Sequence, residues 1–237
     1  MSETRIFRDK NRLVFQGEFR IGDLLHPLAG LHHAVQDAGY HELILDFGPC
    51  TAAFAAPMLA VCAQVMRLRN AEINVELLKP KDKKLSRLFQ NANWAHFLDP
   101  VNHPPSAFKG YSQIPATQFG NGEEQQKAVN RIVNAILGAI PDLERKELAA
   151  LEWSINEITD NVLNHAQSGI GGLVQVSTFQ RARKRVEYIV ADTGIGIPTS
   201  LRQTHPDIIS DAEALQQGNS RRRNPRQGSG SGQWLIW

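Results

Sequence analysis

A polar stripe along one predicted helix in the second half of the chain limits the fold more than any other feature. Apolar side chains recur there at the spacing of three and four that a core-facing helix requires. They are Leu148, Leu151, Ile155, Ile158 and Val162. At about 100° per residue, a second face carries polar side chains. They are Glu157, Asn161, Asn164 and His165. A solvated face is the ordinary explanation for such a stripe, and motifs further along the chain favour a binding site instead.

Two glycine-containing motifs follow this helix. The run Val190-Ala-Asp192-Thr-Gly194-Ile-Gly196-Ile-Pro198 comes where a predicted strand over residues 186–191 ends. The run Gly228-Ser-Gly230-Ser-Gly232 lies close to the last residue of the sequence. Each has a common alternative explanation when taken alone, because Asp-x-Gly turns and Gly/Ser linkers are frequent. In this order and at this spacing after the polar helix, the two motifs together indicate a binding site more strongly than either does alone.

These three motifs give the chain from about residue 145 a resemblance to the GHKL ATPases. This is the ATP-binding fold of sensor histidine kinases, DNA gyrase and the anti-sigma-factor kinases. Glu157-x-x-x-Asn161 resembles the N box of that family, and Asp192-x-Gly194-x-Gly196 resembles its first glycine box. Gly228-x-Gly230-x-Gly232 resembles the second. His165, four residues after Asn161, makes the pattern similar to that of the anti-sigma serine kinases.

The resemblance implies an adenine site at Asp192. A buried carboxylate at that strand end would accept a hydrogen bond from the N6 amine of adenine, which selects ATP over GTP. Gly194 and Gly196 lack a Cβ atom, so the backbone can adopt positive φ and approach the base closely. By the same resemblance, the loop from Ser200 to Gln227 is the nucleotide lid. Backbone N–H groups would then bind phosphate oxygens in the second glycine box, at Gly228, Gly230 and Gly232.

The resemblance also assigns chemistry to the polar stripe. Asn161 offers a side-chain oxygen to Mg²⁺, a cation that takes oxygen ligands and bridges phosphates. Glu157, one turn earlier, is the candidate catalytic residue, because it can orient or deprotonate an attacking water or hydroxyl as a general base. Asn164 and His165 complete the cofactor-binding face, toward the phosphates or the lid.

The first hundred residues alternate between strand and helix patterns, which predicts helices packed on a sheet. The predicted strands cover residues 12–19, 40–47 and 73–78, and the predicted helices cover 21–38, 55–70 and 84–91. Leu45-Asp46-Phe47, followed by a short loop and a helix, is similar to STAS domains, the fold of anti-sigma-factor antagonists. Ala55 and Ala56 stand where those antagonists carry a phosphorylatable serine, and Thr51 is the nearby hydroxyl, early in the loop. We expect a docking or regulatory module, or a scaffold without a site of its own.

The predicted fold class is therefore α/β, with two sandwich domains. A STAS-like domain covers 1–104, a linker rich in proline and glycine covers 105–122, and a GHKL, or Bergerat-type, ATP-binding domain covers 123–237. In the second domain we predict helices over 123–137 and from Pro141 onward, and a hairpin of strands 174–179 and 186–191. The family fold continues past its second glycine box with a helix and strands, and here only five residues follow Gly232. We expect a shortened product or one completed by a partner.

Composition excludes several other classes. The formal net charge of +2 does not point to nucleic acid or to an acidic membrane surface. Cys50 and Cys62 form no metal-binding pattern, and the adjacent His32 and His33 point about 100° apart on a helix, so we expect no metal site from them or from His26. Residues 47–66 are nearly uncharged, but their modest hydrophobicity predicts a buried helix rather than a membrane span. We expect a cytoplasmic protein in a reducing setting.

The function predicted from the sequence is that of an ATP- and Mg²⁺-binding regulatory protein. Its partner would be a regulatory protein of the sigma-factor or antagonist type. The sequence leaves open whether the protein forms a homodimer. Whether phosphate is transferred to a partner hydroxyl or released by hydrolysis also stays open. One alternative is a module like that of sensor histidine kinases. Another is a non-catalytic interaction module whose nucleotide motifs are relics.

Overall fold

The computed structural model describes residues 4–108, 113–140, 143–179 and 185–220, and it shows a mixed α/β chain with two sheets in that part. The strands are β1 (Arg5–Asp9), β2 (Arg12–Phe19), β3 (Glu42–Asp46), β4 (Cys50–Ala53), β5 (Asn74–Leu78), β6 (Gln113–Phe119), β7 (Gly172–Phe179) and β8 (Arg185–Asp192). The helices are α1 (Leu25–His32), α2 (Ala55–Asn70), α3 (Lys83–Asn91), α4 (Trp94–Leu98), α5 (Gly122–Ala139), α6 (Ala149–Asn161), α7 (Gly196–Thr204) and α8 (Asp211–Ser220). Short 3₁₀ turns cover Ile21–Asp23 and Arg145–Leu148, and π turns cover His33–Asp37 and Val162–Ala166. The chain forms two compact units, residues 1–117 with 173–191, and residues 118–172 with 192–237.

The larger sheet lies in the first unit and has the order β1-β2-β3-β5, with β4 also paired to β2. Strand β1 is antiparallel to β2, whereas β2, β3 and β5 run parallel, as do β2 and β4. The three predicted strands are confirmed as β2, β3 and β5, but β1 and β4 were not predicted. Strand β2 changes register at Gly17, whose φ of 84° is one that glycine adopts without strain. The shift at Gly17 lets β2 pair with β4 beyond the point where it pairs with β3.

Aromatic rings form the centre of the first unit. The rings of Phe15 and Phe47 stack at 3.9 Å between centroids. The ring of Phe89 makes T-shaped contacts with those of Phe47 and Trp94, at centroid distances of 5.0 and 5.4 Å. Helix α2 lies over this core, with side chains that are fully buried around most of its circumference. They include Met58, Leu59, Val61, Cys62 and Val65. The expectation of a buried helix over this segment is therefore confirmed.

In the part of the chain that the structure describes, none of the helices combines the length and apolar character that a membrane crossing requires. Both cysteines are buried and free. Burial raises the pKa of Cys50 to about 11 and also raises the pKa of Cys62. Both thiols are therefore protonated at neutral pH, which makes them poor nucleophiles.

Helix α2 begins with two alanines. Ala55 is the first residue of the helix and is buried, and Ala56 follows it. Thr51 lies in strand β4 and is exposed, although the sequence had placed it in a loop. A methyl group cannot accept a phosphoryl group, so the first turn of α2 offers no phosphoacceptor at these two positions.

Asp99, just after α4, provides a test of stability in the first unit. Its carboxylate is 2% exposed and accepts hydrogen bonds from the N–H of Leu77 at 3.3 Å and from the backbone and side chain of Asn102 at 3.2 and 2.9 Å. Burial alone would raise its pKa, but these hydrogen bonds outweigh burial and lower the pKa. The ionised form therefore adds stability above the ordinary aspartate pKa of about 4. This contribution is lost as the pH falls through the folded-state pKa.

We expect Asp99→Ala to lower the free energy of unfolding by about 1–3 kcal/mol at pH 7, because three donors lose their acceptor. Urea unfolding measured from pH 7 downward should show this difference shrinking as the acid protonates Asp99 in the parent protein. Asn102→Ala, which removes only the side-chain donor, should have a smaller effect in the same direction. A difference that stays constant with pH would show that packing, rather than the ionised carboxylate, accounts for the loss.

The helices of the second unit follow the sequence prediction with one correction. The predicted helix over 123–137 is confirmed as α5, which Asn121 caps by accepting a hydrogen bond from the N–H of Glu124 at 3.0 Å. The next helix begins later than predicted. Pro141 lies outside the described residues, and the first helical residue after it is Arg145. Glu144 and Glu147 form a capping box there, which fixes the start of the 3₁₀ turn that leads into α6.

The smaller sheet has the order β6-β7-β8. The two predicted strands of the hairpin are confirmed as neighbours β7 and β8, and the loop between them, residues 180–184, lies outside the described residues. Strand β6 was not predicted, because proline and glycine around it indicated a linker. Strand β7 also holds a polar side chain that the sequence did not single out. Gln175 is fully buried and accepts a hydrogen bond from the indole N–H of Trp94 at 2.8 Å, within the first unit.

Candidate functional site

Polar side-chain contacts join helix α6 to helix α5. The buried hydroxyl of Thr159 donates to the carbonyl of Ile155 at 2.8 Å and accepts from the carboxamide of Gln125 at 2.8 Å. The same carboxamide reaches Asp160 Oδ1 at 2.7 Å. Gln125 is itself buried, so these bonds fix the rotation of α6 relative to α5. No sequence pattern predicts this pair, because both residues are common on solvated helix faces.

The apolar stripe of α6 is confirmed in part. Leu148, Ile155 and Val162 are buried, whereas Leu151 and Ile158 are half-buried. Glu157 and Asn161 occupy another face of the regular helix and are both half-buried. The helical periodicity on which we based the polar stripe is thus correct up to the last residue of α6.

After Asn161 the α-helix changes to a π turn over Val162–Ala166. The regular spacing predicted for Asn164 and His165 ends there, because a π turn bonds residues five apart rather than four. Asn164 is exposed and His165 is half-buried. Burial lowers the pKa of His165, which favours the neutral imidazole at pH 7. Gln167 ends the turn in the left-handed conformation, with φ at 55°.

Asp192 is the last residue of β8, as predicted, but it is exposed rather than buried. Its Oδ1 accepts a hydrogen bond from the N–H of Gly194 at 2.7 Å, which closes an Asx turn. The side chain is therefore used first to shape its own loop. A carboxylate has two oxygens with about four lone-pair sites, so Asp192 can still accept a hydrogen bond from an amine.

The Asp192 loop packs against the end of the π turn. The N–H of Ile195 donates to the carbonyl of Ala166 at 2.8 Å. A Cβ atom on Gly194 would lie only 2.1 Å from that carbonyl oxygen and 2.6 Å from the Ala166 Cβ. Ser168 adds a longer contact, since its hydroxyl lies 3.4 Å from the N–H of Thr193. The Asp192 loop therefore packs against the segment that follows the Glu157–Asn161 helix, within the second unit.

The two glycines of this loop serve different purposes, which corrects the prediction of positive φ at both. Gly196 has φ of 75°, and a Cβ atom there would meet only Pro198 Cδ, at 3.9 Å. Positive φ in this loop is found at Gly196 and not at Gly194. Gly194 is required by close approach to another backbone segment, and Gly196 by its own conformation.

The segment predicted as the lid begins with helices rather than with a loop. Helix α7 starts at Gly196 and packs against the π turn, where the Gln167 carboxamide donates to Gln203 Oε1 at 3.0 Å. Leu201, Ile208 and Ala214 form a small buried cluster that joins α7 to α8. The remainder of this segment, with its arginines, lies outside the described residues, as do the predicted phosphate-binding glycines Gly228, Gly230 and Gly232.

The donor set of the polar face suits a hard cation that keeps most of its other ligands from phosphate and water. Asn161 and Glu157 contribute oxygens one helical turn apart, which is the type of ligand that Mg²⁺ takes. Among the described residues, no group of three or more His, Cys, Asp or Glu side chains is placed to hold a metal ion by itself. Comparisons with protein-family models, curated proteins and solved structures gave no match.

Proposed function

We propose that the second unit binds ATP together with Mg²⁺, as a nucleotide-binding domain of the GHKL type in a regulatory protein. The observation that supports this proposal most is the packing of the Asp192 loop against the end of the Glu157–Asn161 helix. Gly194 and Ile195 of the glycine motif contact Ala166, five residues after Asn161, through a close glycine approach and a backbone hydrogen bond. Two motifs that a hairpin separates in the sequence are thus brought into the same region of the second unit.

Each residue would contribute a separate function. Asp192 accepts a hydrogen bond from the exocyclic amine of adenine, and Asn161 gives an oxygen to the cation. Bound Mg²⁺ would neutralise part of the negative charge of the phosphates. Glu157 orients or deprotonates the attacking hydroxyl, since it lies one turn before Asn161 on the same helix. The acceptor would be a hydroxyl of a partner protein in a cytoplasmic partner-switching system, with water as the alternative acceptor.

The first unit would serve as a STAS-like docking or regulatory module. Its α2 begins with Ala55 and Ala56, so it would bind a partner without receiving phosphate at those positions. The histidine-kinase-like alternative needs a phosphoacceptor histidine ahead of the N box. The sequence has no histidine between His103 and His165, which argues against autokinase activity and leaves phosphotransfer in trans open.

The first test is calorimetric titration of the purified protein with ATP and Mg²⁺, with GTP as the control. Saturable binding of ATP that GTP does not reproduce is the expected result. Absence of a binding heat at millimolar ATP would reject the proposal. It would favour the alternative in which the nucleotide motifs are relics in an interaction module.

Catalysis can be separated from binding at Glu157. We expect Glu157→Gln to retain ATP binding but to lower phosphate release or transfer by about 10²–10⁴-fold, because the amide cannot act as a base. Glu123→Gln, an exposed carboxylate of α5 in the same unit, is the matched control and should leave the rate unchanged. An equal rate for Glu157→Gln and the parent protein would show that Glu157 is not the base.

A further inference from the structure

We infer that Gln125 of α5 is a positioning residue for Glu157 and Asn161, because it binds the opposite side of α6 and so sets the rotation at which their face is presented. The inference rests on the proposed function in naming ATP turnover as the reaction that this face serves. The contacts that carry it lie within the second unit and involve no nucleotide.

The carboxamide of Gln125 makes two short hydrogen bonds to consecutive residues of α6. Its nitrogen lies 2.7 Å from Asp160 Oδ1 and 2.8 Å from the hydroxyl oxygen of Thr159, and the carbonyl oxygen of Asn156 is further away at 3.4 Å. An NH₂ group has two hydrogens, so the two nearer acceptors use both of them. A carboxylate accepts and cannot donate, so the reverse orientation of the amide would place two acceptors face to face at Asp160. The contact therefore permits one orientation of the Gln125 side chain.

Thr159 lies on the side of α6 opposite to the polar face. At about 100° per residue, it is about 160° around the helix from both Glu157 and Asn161. Side-chain oxygens on the polar face lie roughly 6 Å from the helix axis, so a rotation of about 10° moves them by about 1 Å. A displacement of about 1 Å can lower the rate of a reaction about a hundred-fold. The rotation of α6 therefore decides whether Glu157 can act on the reacting hydroxyl.

The backbone that carries Gln125 is fixed by the capped start of α5. The side chain of Asn121 accepts a hydrogen bond from the N–H of Glu124 at 3.0 Å, and the carboxylate of Glu124 accepts from the N–H of Gly120 at 2.7 Å. Gln125 is the next residue and is 7% exposed, whereas its neighbour Gln126 is exposed. Burial keeps water from competing for the hydrogens of the Gln125 amide, so its bonds to α6 persist.

The first experiment measures thermal unfolding without nucleotide, so it tests the contact independently of the proposed function. We expect Gln125→Glu to lower Tm by about 5 °C or more, because it places a second carboxylate against Asp160. Asp160→Asn keeps a carboxamide oxygen available to Gln125 and should change Tm little. The two substitutions together exchange donor and acceptor, and the hydroxyl of Thr159 can rotate to donate, so the double variant should recover at least half of the loss.

Gln126→Glu is the matched control for this experiment. It makes the same chemical change at the next residue of α5, on an exposed side chain, and should leave Tm unchanged. A loss in Gln125→Glu that Asp160→Asn does not reduce would overturn the inference, because the carboxamide would then not act through Asp160.

The second experiment measures ATP affinity and phosphate release by the full chain with Mg²⁺. We expect Gln125→Leu, which has a similar volume and no donor, to lower the turnover rate about ten-fold or more and the affinity for ATP by less than about three-fold. The affinity changes less because the adenine contact is assigned to Asp192, outside α6. Gln125→Glu combined with Asp160→Asn should restore turnover to within about three-fold of the parent rate, and Gln126→Leu should match the parent protein.

The outcomes separate a positioning role from a structural one. If turnover per folded molecule is unchanged in Gln125→Leu, or if the double variant does not restore it, Gln125 only stabilises the fold and the inference is overturned. If the unfolding results are as expected but the parent protein binds no ATP, the contact is correct, whereas the proposed function fails and the positioning role fails with it.

Discussion

Asp192→Asn should strongly weaken ATP binding while leaving the loop that carries residue 192 intact. The Oδ1 of asparagine can still accept the hydrogen bond from the N–H of Gly194, so the Asx turn survives the substitution. The second oxygen becomes an NH₂ group, which donates rather than accepts. An adenine amine would then face a donor, and we expect affinity to fall about a hundred-fold or more, because a site built around one hydrogen bond rejects its mismatch strongly.

The measurement is calorimetry with ATP and Mg²⁺, beside Asp207→Asn as the matched control. Asp207 is an exposed aspartate of the same unit, so its substitution changes the net charge equally without touching the loop. We expect the control to bind ATP as the parent protein does. Asp192→Ala extends the comparison, because it also removes the Asx turn and should lower stability. If Asp192→Asn binds ATP with unchanged affinity, Asp192 does not contact the base.

Gly194→Ala should disrupt both the fold of the second unit and its binding of nucleotide. The added methyl would lie 2.1 Å from the carbonyl oxygen of Ala166 and 2.6 Å from its carbonyl carbon, and backbone atoms cannot rotate away as a side chain does. The loop or the π turn must move, which costs about 1–3 kcal/mol in tightly packed sites. The same movement would shift the loop that carries Asp192 relative to the segment that follows the Glu157–Asn161 helix.

Two alanine substitutions serve as controls for Gly194→Ala. Gly169 has no heavy atom within 4 Å of a built Cβ, so Gly169→Ala should leave stability and binding unchanged. Gly196→Ala has space for the methyl but requires positive φ, which costs about 1–2 kcal/mol for an L-residue. Urea unfolding and ATP titration of the three variants should rank them Gly194, Gly196, Gly169 from largest to smallest effect. A Gly194→Ala protein as stable as the parent would show that the contact with Ala166 is not essential.

A further substitution helps to locate the cause of the clash. Ala166→Gly removes the Cβ of Ala166 but leaves its carbonyl oxygen in place, which is the nearest atom to the added methyl. The double variant Gly194→Ala with Ala166→Gly should therefore remain defective. Rescue by Ala166→Gly would place the conflict in the side chain rather than in the backbone.

Prediction from the sequence succeeded where local periodicity carries the information. The buried surface of α2 and the apolar stripe of α6 follow from side-chain spacing along a single helix, and so does the face shared by Glu157 and Asn161. The strand at residues 12–19 and the two that follow it were recognised from short apolar runs. The position of Asp192 at a strand end was also predicted, because it depends on where one apolar run stops.

Prediction failed where a residue's role depends on a neighbour far along the chain. The exposure of Asp192 depends on how its loop folds. The requirement for glycine at 194 comes from Ala166, and the requirement at 196 comes from its own dihedral angle, although the two glycines look alike in the sequence. Buried Gln125 was passed over, because only its contact with Thr159 distinguishes it from a solvated side chain.

The sequence by itself therefore determined the α/β class in outline, the helix that presents Glu157 and Asn161, and the strand that ends at Asp192. Each depends on the periodicity of consecutive residues, which any helix or strand must satisfy locally. Only the tertiary structure decided that α6 changes to a π turn after Asn161, and that the end of this turn meets the Asp192 loop. Those features depend on the hydrogen bond from Ile195 to Ala166 and on the absence of a Cβ at Gly194. Both are contacts between segments that a strand pair separates, and the spacing of residues within either segment carries no information about them.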